Sequence, residues 1–159
     1  AHIKNKVLKA LLNAHPYEEP AYDIYPLLNT FEKAGLGAIG KIEPVEEKVF
    51  LKKIKEVFNV TIVRHTPLQN KKIETVALCG GSGSNLLKNA IKEQADIFIS
   101  SDFKYHQFFD HEKKILIADI GHFESEQFTK EIFYQIIKKK FANFAVHFSS
   151  INTNPINYY

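Results

Sequence analysis

The chain has 159 residues, of which 45% are hydrophobic and 25% are charged. This composition is typical of one globular domain, or of one domain with part of another, and it excludes disordered and fibrous proteins. No apolar run approaches the roughly 20 residues that a membrane-spanning helix needs. Charge and proline interrupt the first stretch of the sequence, which argues against a signal peptide.

The charge pattern argues against nucleic acid as the main partner. Of the 21 basic residues, Arg64 is the one arginine and all others are lysines, and the formal net charge is +3. Proteins that read nucleic acid rely on arginine forks for bidentate contacts. The single cysteine, Cys79, excludes an internal disulfide and favours a cytoplasmic location. Because the sequence begins with Ala1 and contains no methionine, we expect a processed or partial chain.

The first forty residues differ from the rest. A stripe of apolar residues over positions 3–14 predicts a helix that ends before Pro16. The segment Ala21–Tyr25 is predicted as a strand, with prolines at its ends where a missing N–H does least harm. Three glycines between positions 35 and 40 then mark a joint at which a second unit begins.

After the joint, strands and helices alternate. Pro44 is expected in the first turn of a helix that ends near Phe58, and Val60–Val63 is a short apolar strand. Four further strands are predicted at Thr75–Cys79, Asp96–Ser100, Ile115–Asp119 and Ala145–Phe148. The helices between them are predicted at about 84–93, 104–112 and 124–141. This alternation predicts an α/β domain whose sheet is largely parallel and flanked by helices.

The carboxyl ends of these strands are the expected place for a site, because loops and helix N-termini converge there in open α/β sheets. The first predicted end carries Gly80, Gly81, Ser82 and Gly83, which could hold an anion with backbone N–H groups. This loop lacks the spacing of a Walker or dinucleotide motif. A tight turn that needs positive φ is the alternative interpretation, and we favour it.

The third strand end offers a candidate metal pair. His122 and Glu126 stand four residues apart at the start of a helix, so both lie on one face and could hold one cation. Imidazole and carboxylate together suit Zn, Mn, Fe or Co. Two ligands do not complete a site, and a surface histidine and glutamate beside a capping serine are the alternative. Asp102, Lys104 and His106, from the second strand end, are candidate extra ligands, general bases or orienting groups. An aspartate that only caps the following helix is an equal alternative for Asp102.

Several longer motifs now identify a family. They are HPYEEPAYDIYPL (15–27), GLGAIG (35–40), VALCGGSGS (76–84), DIFISSDFKYH (96–106), IADIGHFESE (117–126) and INTNPINYY (151–159). In this order and spacing they resemble the dinuclear-metal family of GTP cyclohydrolase type-two homologues, also called the NGG-one-interacting-factor-three-like family. The resemblance covers essentially the whole chain.

The resemblance implies a domain organisation. Family members are longer and consist of an amino-terminal half, an inserted domain similar to CutA-type and PII-like domains, and a carboxy-terminal half. Residues 1–34 resemble the closing part of that ferredoxin-like insertion. Residues 35–159 resemble the carboxy-terminal half of the metal-binding α/β domain. The amino-terminal half, which supplies a His-His pair and an Asp to the metals, has no counterpart here.

The resemblance also implies site residues. The GHFESE motif places metal ligands on His122 and Glu126. The family motif TGD-x-KYH appears with Ser101 in place of glycine, and its matching residues would line the same cavity. Those residues are Asp102, Lys104, Tyr105 and His106.

The resemblance implies a function as well. We expect part of a metal-dependent hydrolase that holds two divalent cations when intact, with an incomplete site in these 159 residues. We also expect a homohexamer and a small-molecule substrate. The alternative is a non-enzymatic oligomeric protein for binding, assembly or regulation.

Overall fold

The structure, a computed structural model, describes residues 3–25 and 35–159. The chain divides into two compact units, Ala1–Ala34 and Gly35–Tyr159. In the first unit, helix α1 spans Lys4–Ala14, as the sequence predicts. The strand predicted at Ala21–Tyr25 is wrong, because this segment is irregular and exposed and finds no strand to pair with in the described part of the unit.

The second unit is built on a five-stranded sheet. Its strands are β1 (Ala38–Glu46), β2 (Arg64–His65), β3 (Lys72–Leu78), β4 (Ile97–Ser100) and β5 (Leu116–Asp119). The strand order is β1-β3-β4-β5-β2, and β3, β4 and β5 are parallel. The edge strands β1 and β2 are antiparallel to their neighbours. The predicted parallel sheet is therefore confirmed for its middle, whereas the sheet as a whole is mixed.

The helices follow the predicted alternation. Helix α2 spans Glu47–Phe58, and a 3₁₀ turn at Ser84–Leu86 leads into α3 (Leu87–Lys92). A 3₁₀ helix spans Tyr105–His111. The helix predicted at 124–141 is two helices, α4 (His122–Glu126) and α5 (Thr129–Lys140). No helix in the described ranges is long and apolar enough to cross a membrane.

The prediction for Pro44 is wrong, since this residue lies in strand β1 and α2 begins at Glu47. Proline is tolerated there because β1 is an edge strand whose register against β3 breaks between Lys41 and Val45. At such an irregularity the missing N–H interrupts no ladder bond.

Two other strand predictions are also wrong. The pairing near Val60–Val63 occurs instead at Arg64–His65, which is antiparallel to β5. The segment Ala145–Phe148 forms no strand. Its apolar Phe148 stacks on Tyr134 of α5, with 4.7 Å between the ring centroids. The ring therefore packs on a helix and not within the sheet.

Two apolar layers cover the faces of the sheet and fix the carboxyl ends of β4 and β5. On one face, residues such as Ile97 and Leu116 pack with Phe50 and Ile54 of α2. On the other, residues such as Phe98 and Ile117 pack with α3. Every residue of β4 and β5 is buried, as is expected for central parallel strands. The loops that follow these strands therefore start from rigid positions.

Candidate functional site

The site is centred on His122, the first residue of α4 after β5. Its Nδ1 lies 2.6 Å from Asp102 Oδ2, and its Nε2 lies 3.3 Å from Glu126 Oε2. The three side chains are each about half exposed. The hydrogen bond to Asp102 is the main reason why the pKa of His122 is raised above its usual value. The structure thus brings together three of the residues singled out from the sequence.

The separation of His122 and Glu126 suits a shared cation. Two ligand atoms at about 2.0–2.1 Å from a tetrahedral zinc ion are about 3.3 Å apart. This is the distance between His122 Nε2 and Glu126 Oε2. Within residues 3–25 and 35–159, however, no group of three or more His, Cys, Asp or Glu side chains is arranged to hold a metal ion. The two residues alone therefore do not complete a metal site, and their role as ligands stays a prediction.

The glycine loop after β3 lies directly behind this pair. The Gly81 N–H donates to Ser125 Oγ at 2.7 Å, and the Gly83 N–H donates to Ser100 Oγ at 3.1 Å. Gly81 has φ +63°. Because both N–H groups already have acceptors within the chain, the contacts favour the tight-turn interpretation of the loop. Anion binding by residues 80–83 stays a prediction.

Asp102 has an unusual backbone conformation. Its φ is +59°, in the left-handed region that few residues other than glycine adopt. Its neighbours hold it there, since Ser101 Oγ donates to Gly81 O at 2.5 Å and the Phe103 N–H donates to Asp119 Oδ2 at 3.1 Å. This conformation aims the Asp102 carboxylate at His122.

Asp119 and Arg64 form a second charged pair beside His122. Asp119 is 5% exposed and accepts from the N–H groups of Phe103 and Gly121, each at 3.1 Å. The Arg64 guanidinium lies 3.4 Å from Asp119 Oδ2. Arg64, Asp119, Asp102 and His122 share a cavity of about 230 Å³. The sequence analysis assigned no role to Arg64. That it is the one arginine among 21 basic residues could have marked it as a candidate site residue.

Lys104, Tyr105 and His106 lie further from the centre. Lys104 and Tyr105 line a neighbouring cavity of about 760 Å³, which also has Arg64 in its wall. His106 is exposed, and its ring packs edge-on against Tyr105 with 5.4 Å between the centroids. In the described part of the chain, no hydrogen bond or ion pair joins these three side chains to His122. Their role in a shared cavity stays a prediction.

The carboxy-terminal tail closes the other side of the site, which sequence reasoning did not foresee. Glu124 of α4 is 7% exposed, and its Oε1 accepts from Asn154 Nδ2 at 3.1 Å. Burial, then the charges of Glu124 and Asp119, raise the pKa of Tyr158. His122 and Glu126 open onto a cavity of about 660 Å³ whose far wall is the tail segment 149–156.

Replacing Gly81 with alanine should disturb the pair directly. A Cβ at Gly81 would collide with Glu126 Oε1 and lie 3.4 Å from His122 Cε1. The left-handed backbone adds about 1–2 kcal/mol of strain. We expect the free energy of unfolding in urea to fall by at least this amount. Gly40→Ala is the matched control, because a Cβ there meets nothing within 4 Å, and equal stability of the two variants would contradict the prediction.

Comparison with known proteins gives the following relatives. A protein of Halalkalibacterium halodurans named GTP cyclohydrolase 1 type 2 homolog is 37% identical over 160 residues, which covers 98% of this chain and 43% of that protein. One of the same name from Staphylococcus epidermidis is 33% identical over 156 residues, which covers 94% of this chain and 42% of that protein. The chain thus spans less than half the length of these relatives.

Two solved structures are similar to this chain over nearly its whole length. The crystal structure of a Staphylococcus aureus protein matches with a TM-score of 0.76 and 28% identity, over 100% of this chain and 53% of that one. The crystal structure of a Bacillus cereus protein related to NIF3 matches with a TM-score of 0.70 and 32% identity, over 99% of this chain and 45% of that one.

A profile of the family described as Duf34/NIF3 (NGG1p interacting factor 3) matches residues 3–155, almost the whole chain. The family expected from the sequence motifs is thereby confirmed. The chain belongs to the Duf34/NIF3 family.

Proposed function

We propose that this chain is part of a divalent-metal-binding protein that acts as a metal-dependent hydrolase. The observation that carries the proposal is the geometry of His122, whose Nε2 lies 3.3 Å from Glu126 Oε2 while Asp102 holds its other ring nitrogen. A metal-binding histidine is usually held in this way by a carboxylate behind it. His122 and Glu126 would be the ligands.

Each residue has a defined task in this proposal. Asp102 accepts a hydrogen bond from Nδ1–H of His122, which selects the tautomer whose free electron pair is on Nε2. Ser125 fixes the start of α4, because its Oγ donates to His122 O at 2.8 Å and accepts from the Gly81 N–H. The ring of His122 is thus oriented by Asp102, and the backbone that carries it is held by Ser125.

A divalent cation at this position would activate water and polarise a substrate bond. The chain's own residues leave room for both, since the cavity of about 660 Å³ begins at His122 and Glu126. Its wall also contains Thr129, Lys130 and Asn154, which can contact a polar ligand.

The intact protein, meaning the natural polypeptide that contains these 159 residues, would complete the site. The family resemblance implies that residues beyond this chain supply further ligands and that two cations are held together. It also implies a homohexamer, and residues 1–34 as the closing part of a CutA-like, ferredoxin-like inserted domain. We include these features, with a cytoplasmic location, in the proposal.

The test is elemental metal analysis of the intact protein and of the 159-residue chain, each purified without added metal. We expect about two divalent ions per intact chain and fewer on the short one, followed by hydrolysis in a substrate screen that chelation abolishes. Absence of metal from both forms would contradict the proposal. Metal that is needed for the oligomer but supports no hydrolysis would instead favour the binding or assembly alternative.

A further inference from the structure

Arg64 is anchored in a way that prepares its guanidinium for a ligand. Its Nη2 donates to Phe103 O at 2.6 Å and lies 3.4 Å from Asp119 Oδ2. Its guanidinium carbon lies 4.9 Å from the centre of the Phe108 ring. These contacts hold the planar group before any ligand arrives, which lowers the entropy lost on binding.

Two nitrogens of the Arg64 guanidinium, Nη1 and Nε, make no hydrogen bond within the described residues. Both polar contacts use Nη2, and no other hydrogen bond from this side chain occurs within the described residues. The Arg64 side chain is 56% exposed. An arginine has five N–H donors, so Nη1 and Nε can still donate to an anion.

The cavity on the outer side of Arg64 has the charge that an anion requires. Its lining consists of Arg64, His65, Phe103, Lys104, Tyr105 and Phe108. Two of these six residues carry a permanent positive charge and none is acidic. Asp119, which offsets the charge of Arg64, lines the smaller cavity on the side of His122. The rings of Tyr105 and Phe108 add an apolar surface for the rest of a ligand.

We propose that Arg64 and Lys104 bind the phosphate of a phosphorylated small molecule, whose other end reaches His122. Arg64 lines both cavities, so one ligand can extend from the outer cavity to the site. A phosphate offers a dianionic group with three acceptor oxygens, which matches a guanidinium N–H left free by the Nη2 contacts, an ammonium group and a tyrosine hydroxyl. This inference rests on the proposed function, because it names the substrate class of the same site.

The test is calorimetric titration of the intact protein with phenyl phosphate, with benzyl alcohol as the uncharged comparison. Lys104→Gln should weaken phenyl phosphate binding about tenfold, because one charge-assisted hydrogen bond is lost. Arg64→Lys should weaken it as well, since an ammonium group lacks the planar N–H donors that the contacts with Phe103 O and the Phe108 ring hold in place. Lys92→Gln, at an exposed position in the last turn of α3, is the matched control and should have no effect.

The titrations are repeated after chelation, and the metal content of each sample is measured. Equal affinity for the wild type and Lys104→Gln would overturn the inference, as would binding that disappears when the metal is removed. If metal is present and neither Arg64→Lys nor Lys104→Gln changes the affinity for phenyl phosphate, this inference fails and the metal function stands. If no metal is bound but Lys104→Gln still weakens binding, the anion site stands without the metal function.

Discussion

Replacing His122 with alanine should lower the metal affinity of the intact protein at least about hundredfold. The imidazole is one of the two groups that face each other across 3.3 Å, and the change removes it without touching Glu126. Loss of an outer partner of a ligand already costs 10- to 100-fold in metal affinity, so loss of a ligand should cost at least as much. Titration with Zn²⁺ or Mn²⁺ against a competing chelator measures the effect.

The same variant should fold normally. The His122 side chain is 48% exposed, and exposed substitutions rarely change the free energy of unfolding by more than about 0.5 kcal/mol. His147→Ala is the matched control, because this histidine is also exposed. Unchanged metal affinity in the folded His122→Ala variant would contradict the ligand assignment.

Asp102→Asn tests the orienting group separately. The amide keeps the shape of the side chain but removes the charge that holds Nδ1 of His122 at 2.6 Å. We expect a loss of metal affinity of about 10- to 100-fold, intermediate between the wild type and His122→Ala. If Asp102→Asn costs more than His122→Ala, then Asp102 is itself the ligand and the assigned roles are reversed.

The part of the fold that could be predicted from the sequence is the part that is buried on both faces. Strands β4 and β5 were predicted to within one residue, because continuous apolar runs bounded by polar turns are typical of central parallel strands. Strand β1 was missed, since all but one of its residues are exposed. Its pairing depends on β3, from which it is distant in sequence, and local propensity carries no sign of that contact.

The residues of the candidate site also differ in how far their contacts could be predicted from the sequence. His122 and Glu126 are four residues apart on one helix, so their proximity could be read from spacing alone. Asp102 could be named as a candidate, but its contact with His122 depends on two neighbouring strands ending at the same edge. Arg64 contacts Phe103 across 39 residues of sequence, and its partners become visible only when β2 pairs with β5.

Replacing Asp119 with alanine should lower the free energy of unfolding by about 3–5 kcal/mol. The carboxylate is 5% exposed and accepts from the N–H group of buried Phe103 and from that of half-buried Gly121. Each N–H left without an acceptor costs about 1–3 kcal/mol. The lost ion pair adds little, because the Arg64 side chain is more than half exposed and water can solvate it. Urea denaturation measures the change.

Asp119→Asn separates charge from shape. The amide retains one acceptor oxygen, so one of the two backbone N–H groups meets an NH₂ donor instead, and we expect a loss of about 2–3 kcal/mol. Asp110→Asn is the control at an exposed aspartate and should change stability by less than about 0.5 kcal/mol. Full stability of both Asp119 variants would mean that the two N–H groups find other acceptors.

Asp119 also links the fold to the site. The N–H groups that it accepts from belong to the residue after Asp102 and the residue before His122. Its other contact holds Arg64, which lines both cavities. Asp119→Asn should therefore weaken metal binding, although the residue is not one of the proposed ligands. Lys104→Gln should leave metal binding unchanged and weaken only phenyl phosphate binding, and this difference distinguishes a residue that supports the metal pair from one that contacts the phosphate.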